Sequence, residues 1–316
     1  MLRRAARPLF FAGVIAIVFG LGRFHAAREG YDFTNSARFA WEITYASLLL
    51  VASATDVRGV EDVALGLALL AAFASVGSTN AEALSLARQG EAGPLWVVAG
   101  RQSAGRGRRG RTWISQPGNL YASLLLTASA PPEHWPELSF VAALAAHDAV
   151  VEVAPDLKSR LAIKWPNDLV LAGAKFAGIL IEGENGGVTI GIGINCAGHP
   201  AGMEYPATDL ATAGAPVSPA TVFGALSVKM VGRIAQWNGG EGFSTIRTDW
   251  LARAAGVGED VRVRLADRDV IGRFEAIDHA GSLVLRLPDG KTTTIAAGDL
   301  FMLPAPSPAR RVDQNP

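Results

Sequence analysis

The chain of 316 residues is about twice the length of a typical domain, so two domains, or one with additions, are expected. Hydrophobic residues make up 49% and charged residues 18%, which excludes disorder throughout, while 29 basic and 29 acidic side chains cancel and leave no global charge to recruit nucleic acid or an anionic membrane. The single cysteine, Cys196, excludes a disulfide framework and a multi-cysteine metal site, and the five histidines lack HExxH-type spacing, so no protein-bound metal is expected.

The start of the chain differs from the rest. Residues 8–22, PLFFAGVIAIVFGLG, form an uncharged apolar run preceded by Arg3, Arg4 and Arg7, which reads as a signal peptide or a marginal anchor. A helix of this run would span about 22 Å, short of the roughly 30 Å hydrocarbon core. Shorter apolar runs follow at 43–54 and 63–76. Residues 1–62 are therefore expected to be an apolar helical extension: a membrane-associated segment with weak contact through 8–22, interfacial helices, or an incorrect start.

From Gly77 onward polar and apolar residues mix and the elements alternate. Ser78 and Thr79 are good N-cap residues for a helix over 80–89 that Gly90 ends. Residues 95–100 (LWVVAG) form a short buried strand. Another covers 118–127, where Leu120, Ala122, Leu124 and Leu126 alternate with Tyr121, Ser123, Leu125 and Thr127. Leu138, Val141, Ala142, Ala145 and Ala149 recur at helical spacing over 136–151, with Pro136 at the start, predicting a helix with an apolar stripe. Strands are expected at 162–165, 168–171 and 176–182, separated by turns at Pro166-Asn167 and 172–174, and a turn at 184–187 leads into VTIGIGIN. Residues 218–238 and 241–255 read as helices. From 260 to 303, DVRVRL, VIGRFEAI, SLVLRL, TTTIAA and DLFML recur between turn signals, predicting an all-β module of about five strands compatible with a small barrel. The proline-rich tail, 304–316, is expected to be disordered.

The densest chemistry lies at 100–113, GRQSAGRGRRGRTW. Arg101, Arg106, Arg108, Arg109 and Arg111 occur without an acid among them, most of them separated by Gly105, Gly107 and Gly110. Residues 105–110 satisfy G-x-G-x-x-G, but a dinucleotide fold needs that motif to open a helix, which three internal arginines oppose. Glycines let backbone N–H groups approach an anion and guanidiniums add bidentate hydrogen bonds, so the loop suits phosphate or carboxylate. A solvated basic loop or a nucleic-acid arm would use the same residues.

A second constellation, IKWPND at 163–168, holds Lys164 at a strand end before a rigid turn and an acid, as a point charge suited to a polyphosphate or carboxylate. A lone strand-end lysine is otherwise an exposed surface group. KFAGILIE at 175–182 and GIGIN at 191–195 each set glycine inside a strand, Gly178 in the first. Such glycines indicate close backbone approach to a ligand or, equally well, a bulge.

Together, GSTN at 77–80, GRGRRGR at 105–111 with Trp113, KWPND at 164–168, and KFAGILIEG followed by GIGIN resemble, in order and spacing, the biotin–protein ligases. The resemblance covers roughly residues 65–303, and the combination is far more specific than any one piece. It implies an α+β fold class: a mixed β-sheet with flanking helices, related to class II aminoacyl-tRNA synthetases, over 63–256, then a small SH3-like β-barrel over 257–303. By the same resemblance, the chain would make biotinyl-5′-AMP from biotin and ATP, with Mg²⁺ carried by the nucleotide. It would then transfer biotin to one lysine of a biotin carboxyl carrier domain of acetyl-CoA carboxylase or a related carboxylase, in the cytoplasm. Ser78, Thr79, Asn80 and Gln102 match the family's biotin-contacting residues, with Gly178 beside them. Arg106, Gly107 and Arg108 match the loop that closes on biotin and its adenylate. Lys164 matches the lysine that contacts the reacting carboxylate and α-phosphate. Arg109, Arg111, Trp113 and Asn195 fall to the nucleotide side. Longer members carry a winged helix that binds operator DNA. Residues 1–70 show no helix-turn-helix pattern, so no nucleic-acid partner is expected.

The chemistry agrees with these residue types. Biotin's carboxylate is ionised at neutral pH, so adenylation needs no general base. The difficulty is bringing one anion up to another: two unit charges at 4 Å repel by about 4 kcal/mol at an effective dielectric of 20. Arg106, Arg108, Lys164 and Mg²⁺ can offset that repulsion. The acceptor lysine must lose a proton in the second step, and Asp168 is a candidate acceptor, with holding the KWPND turn as its alternative role. A lipoate–protein ligase is the rival within the same fold, and a basic-loop nucleic-acid-binding module the rival outside it.

Overall fold

The computed structural model describes residues 69–127, 130–184 and 187–303. The expected extension over 1–62, its boundary at 62/63, the centre of the 184–187 turn and the tail at 304–316 lie outside the described residues. Among the described residues no helix is long and apolar enough to cross a membrane.

Among the described residues, seven strands form one sheet in the order β1-β2-β3-β7-β6-β5-β4. β1 (Leu69–Phe73) and β2 (Leu95–Ala99) run parallel, joined through helix α1 (Thr79–Arg88). β3 (Leu120–Thr127), β4 (Leu161–Lys164), β5 (Asp168–Leu171), β6 (Ala174–Glu184) and β7 (Gly187–Ile194) are linked by antiparallel pairing. Ala172 and Gly173 between β5 and β6 have φ of 48° and 82°, the left-handed pair that a two-residue hairpin turn requires.

Alternation along the strands sorts two layers. Leu95, Val97 and Leu125 pack with Ala83 and Leu86 of α1 on one face. Trp96, Val98, Leu120, Ala122 and Leu124 face the main core on the other, with α2 (Leu138–Val153) and α3 (Pro219–Trp237). Both faces of β2 and β3 are therefore covered, which is why these strands read as nearly continuous apolar runs. The stripe expected on α2 is too narrow: Phe140 through His147 are all buried, because α2 lies between the sheet and helices α3 and α4 (Phe243–Leu251). Its alanines, small on every side, permit that enclosure.

The C-terminal strands β8 (Asp260–Arg264), β9 (Asp269–Ile277), β10 (Leu283–Arg286), β11 (Thr292–Ile295) and β12 (Asp299–Met302) form an antiparallel sheet in the order β11-β10-β9-β8-β12. Its inner residues Val261, Val263, Phe274, Leu283 and Leu285 belong to the same apolar core as the larger sheet. Trp165, in the KWPND turn, donates from Nε1 to the Gly281 carbonyl at 3.1 Å. The C-terminal sheet is thus held firmly beside that turn, and β12 is brought to the basic loop.

Candidate active site

A cleft of about 350 Å³ opens on the sheet face that carries α1. Ser78, Thr79, Asn80, Gln102, Arg106, Gly107, Arg108, Arg111, Trp113, Lys164, Asp168, Gly178 and Asn195 all line it, so every site residue expected from the sequence except Arg109 meets in one place.

The floor is paved with glycine. On β7, Ile190, Ile192 and Ile194 enter the core while Gly191 and Gly193 face the cleft, and cross-strand pairing sets Gly178 beside Gly193. Neither β7 pairing shows a register shift, so the bulge alternative for the GIGIN glycines is excluded. The close approach comes from the protein's own side chains. A Cβ on Gly193 would lie 2.7 Å from Trp113 Cε2, one on Gly178 would lie 3.0 Å from its Cζ3, and one on Gly191 would meet the Asn80 carboxamide. Trp113 therefore lies flat across β6 and β7. Its Nε1 is buried and has no hydrogen-bond partner among the described residues.

Next to the glycines lies a polar network. Ser78 caps α1, and Gln102 Oε1 accepts from Thr79 N at 2.8 Å and Thr79 Oγ1 at 3.1 Å. Fully buried Ser123 reaches Thr79 Oγ1 at 2.7 Å and Asn80 Oδ1 at 2.6 Å. Asn80 Nδ2 donates to Glu182 Oε2 at 2.8 Å.

The basic loop folds as a short hairpin over this floor. Gly105 O accepts from Trp113 N at 2.9 Å and Arg111 O from Gly107 N at 2.7 Å, with Arg109 (φ 56°) and Gly110 (φ 73°) at the tip. No helix longer than a 3₁₀ turn follows the glycines, which removes the dinucleotide reading. Each arginine turned inward has a partner. Arg106 Nη2 donates to Glu182 at 2.9 Å and Arg108 Nη1 to Asn167 Oδ1 at 3.1 Å, while Arg111 and Arg109 pair with Asp299 on β12, the latter at 3.5 Å. Burial, with Arg109 nearby, pulls the Arg108 guanidinium below its ordinary range. Loop arginines engaged by Glu182, Asp299 and the Asn167 amide do not form a free nucleic-acid arm.

Two lysines face each other's surroundings across the cleft. Lys164 ends β4, its Nζ 5.0 Å from the Tyr205 ring centroid and 5.7 Å from that of Phe301. Burial pulls its ammonium below the usual lysine range, with Asp168 opposing and Lys175 adding to that shift. Asp168 instead pairs with Lys175, at 2.6 Å. Lys175 is a cleft residue that sequence reasoning did not single out, because strict alternation from Gly178 would send it into the core. The β5/β6 register shifts at Phe176, pairing Leu169 with Ala177 but Val170 with Lys175, and this bulge returns Lys175 to the cleft face. Tyr205, Asn167 and Asp299 also line the cleft and were missed as well, as was Glu182, which stands behind Asn80 and Arg106. Asn195 is 4% exposed, and its Nδ2 donates to the Thr208 carbonyl at 3.0 Å, fixing the segment that carries Tyr205 and Pro206 along one wall.

Residues 72–198 match the biotin/lipoate A/B protein ligase family, and residues 256–303 match the biotin protein ligase C terminal domain. A biotin–[acetyl-CoA-carboxylase] ligase of Paracoccus denitrificans is 42% identical over 240 residues, covering 72% of this chain and 99% of that protein. One from Mycobacterium tuberculosis is 32% identical over 260 residues, covering 78% and 96%. Among solved structures, the biotin protein ligase from Aquifex aeolicus in complex with biotin and ATP superposes with a TM-score of 0.64 at 25% identity, covering 74% of this chain and 98% of that one. With both family matches in order along the chain, and a relative matched over nearly its whole length, this chain belongs to the biotin protein ligase family.

Proposed function

We propose that the chain is an ATP-dependent biotin–protein ligase. The observation that carries this reading is the convergence, on one glycine-paved face, of a neutral polar floor, an arginine loop and two lysines. A uniformly basic groove would suit any polyanion. A neutral, hydrogen-bonding end joined to a cationic end suits a molecule with an uncharged polar head and a carboxylate, activated by a nucleotide.

On this reading Ser78, Thr79, Asn80 and Gln102 bind the biotin head, with Gly178 against its apolar body; Trp113, expected on the nucleotide side, packs against Gly178 and Gly193 on the floor and is assigned here to the biotin body instead. Arg106, Gly107 and Arg108 close over the chain, and Lys164 and Lys175 flank the reacting carboxylate. Arg109, Arg111 and Asn195 serve the nucleotide side, and Mg²⁺ arrives with ATP as part of the substrate. In the first step a biotin carboxylate oxygen bonds to the α-phosphorus while the bond to pyrophosphate breaks. The cations stabilise charge as it moves onto the leaving group. In the second, the neutral amine of an acceptor lysine attacks the biotinyl carbonyl, AMP leaves, and the amine gives up a proton. Asp168 is the carboxylate on hand, although its pairing with Lys175 argues for a positioning role first. The acceptor is the biotin carboxyl carrier domain of acetyl-CoA carboxylase or a related carboxylase, and the setting is the cytoplasm. Residues 63–256 form the catalytic unit and 257–303 the C-terminal unit. Pyrophosphate release that requires both biotin and ATP, followed by labelling of a carrier domain, tests the proposal. Release with lipoate and not with biotin would overturn it in favour of the lipoate ligase.

A further inference from the structure

The polar side chains of the cleft floor form a closed circuit on the basic loop. From Gln102 it passes to Thr79, then through Ser123 to Asn80, and Asn80 Nδ2 donates to Glu182 Oε2 at 2.8 Å. The same Glu182 oxygen accepts from Arg106 Nη2 at 2.9 Å. Arg106 stands on the stem of the hairpin and Gln102 on the segment leading into it, so the circuit starts and ends on one stretch of chain and crosses the head-group floor in between.

Glu182 is the only charged group in that circuit besides Arg106, and one of its oxygens serves two donors from different elements. Asn80 cannot retreat from it, because its carboxamide occupies the space that a side chain at position 191 would fill, and its Nδ2 also donates to the Leu180 carbonyl at 3.2 Å. Arg106 is half-exposed, and an isolated ion pair of that kind holds a loop weakly. Joined to a buried, immobile amide, the same carboxylate has a fixed direction and a reason to stay put. We infer that Glu182 is a positioning residue that couples filling of the head-group pocket to retention of the basic loop. It acts through Asn80 and Arg106 and does not itself touch the substrate. The inference rests on the proposed ligase reading and adds a residue that ties the two halves of the site together.

The test uses the full chain as wild type, Glu182→Gln, Glu182→Ala, Arg106→Ala and the Glu182→Ala/Arg106→Ala double variant. The lifetime of bound biotinyl-adenylate, KM for biotin and for ATP, Tm, and hydrogen exchange across residues 103–111 are measured. Loss of a shared charge-assisted acceptor should shorten the adenylate lifetime of Glu182→Ala about tenfold and raise its biotin KM similarly, with ATP KM and Tm nearly unchanged. Glu182→Gln, which keeps one acceptor oxygen, should recover part of the lifetime, and the double variant should be no worse than the poorer single one. Biotin should slow exchange across 103–111 in the wild type and much less in Glu182→Ala. The inference is overturned if adenylate lifetime and loop exchange match wild type, or if both KM values rise together with a loss of Tm. If Glu182→Ala does not fold, an unchanged lifetime in Glu182→Gln overturns it alone. A wild type that forms no biotinyl-adenylate overturns the ligase reading and this inference together, whereas an active wild type with neutral Glu182 variants overturns only the inference.

Discussion

Replacing Lys164 with methionine should separate its chemistry from its effect on stability. The ammonium sits against Tyr205 and Phe301 at 5.0 and 5.7 Å, and the acid opposite it in the β4/β5 pair, Asp168, is taken by Lys175. Burial disfavours its charge strongly enough to lower its pKa despite Asp168. Two cation–π contacts return about 0.5–1 kcal/mol each, which is less than the cost of desolvating a lysine without an ion-pair partner. Methionine keeps the length and apolar body of the side chain and removes that cost. Lys164→Met should therefore be neutral or up to about 1 kcal/mol more stable, a rise in Tm of roughly 2–4 °C for a chain of this size. Adenylation loses a cationic donor where charge develops, on the order of 3 kcal/mol, or about 150-fold in rate. Thermal unfolding and biotin-dependent pyrophosphate release would be measured on the same preparation. A variant that loses Tm in step with its rate would refute the reasoning and make Lys164 a structural strand-end residue.

Gly193→Ala places a methyl 2.7 Å from Trp113 Cε2, so overpacking of about 1–3 kcal/mol should exceed the roughly 0.5–1 kcal/mol gained by replacing a strand glycine. Tryptophan emission should shift and biotin binding weaken; wild-type emission and affinity would show that Trp113 does not lie across this strand. Asp148 would be raised by burial alone, but hydrogen bonds from His147 and Arg233, with the charges of Arg233 and Arg253, hold it at about 2. A depressed carboxylate stabilises the fold above its unfolded value and loses that contribution as pH falls from about 4 through 2, here about 2 kcal/mol at most. Asp148→Asn should lose this stability at neutral pH and show a flatter acid limb in urea unfolding, and parallel acid limbs would contradict the assignment. Burial pushes the Cys196 thiol up to about 12, so a thiol reagent at mildly alkaline pH should label it only after unfolding. Rapid labelling of the folded chain would place it at the surface.

Much of this molecule is written in short-range pattern. Ser78 before α1, the turn at Ala172-Gly173, and the alternation of isoleucine and glycine along β7 each depend on residues one to four positions apart, and each took the form the sequence implies. The loop's composition likewise made it a basic, glycine-rich segment, a property that glycine and arginine carry wherever they are placed. The resemblance in four ordered motifs was enough to identify the family and to bring all but one of the expected site residues to one cleft. Tertiary structure decided what the loop actually holds. Glu182 and Asp299 are ordinary strand acids until β6 and β12 lie beside Arg106 and Arg111, which are 76 and 188 residues away along the chain. Lys175 reached the cleft only because a single bulge at Phe176 reversed its face, and α2 is enclosed only because α3 and α4 pack on its outer side. Capping, turns and strand alternation act along the backbone over a few residues, so they are legible in sequence. Ion pairs and enclosure act through space over a few ångströms, so they exist only once distant segments have been brought together.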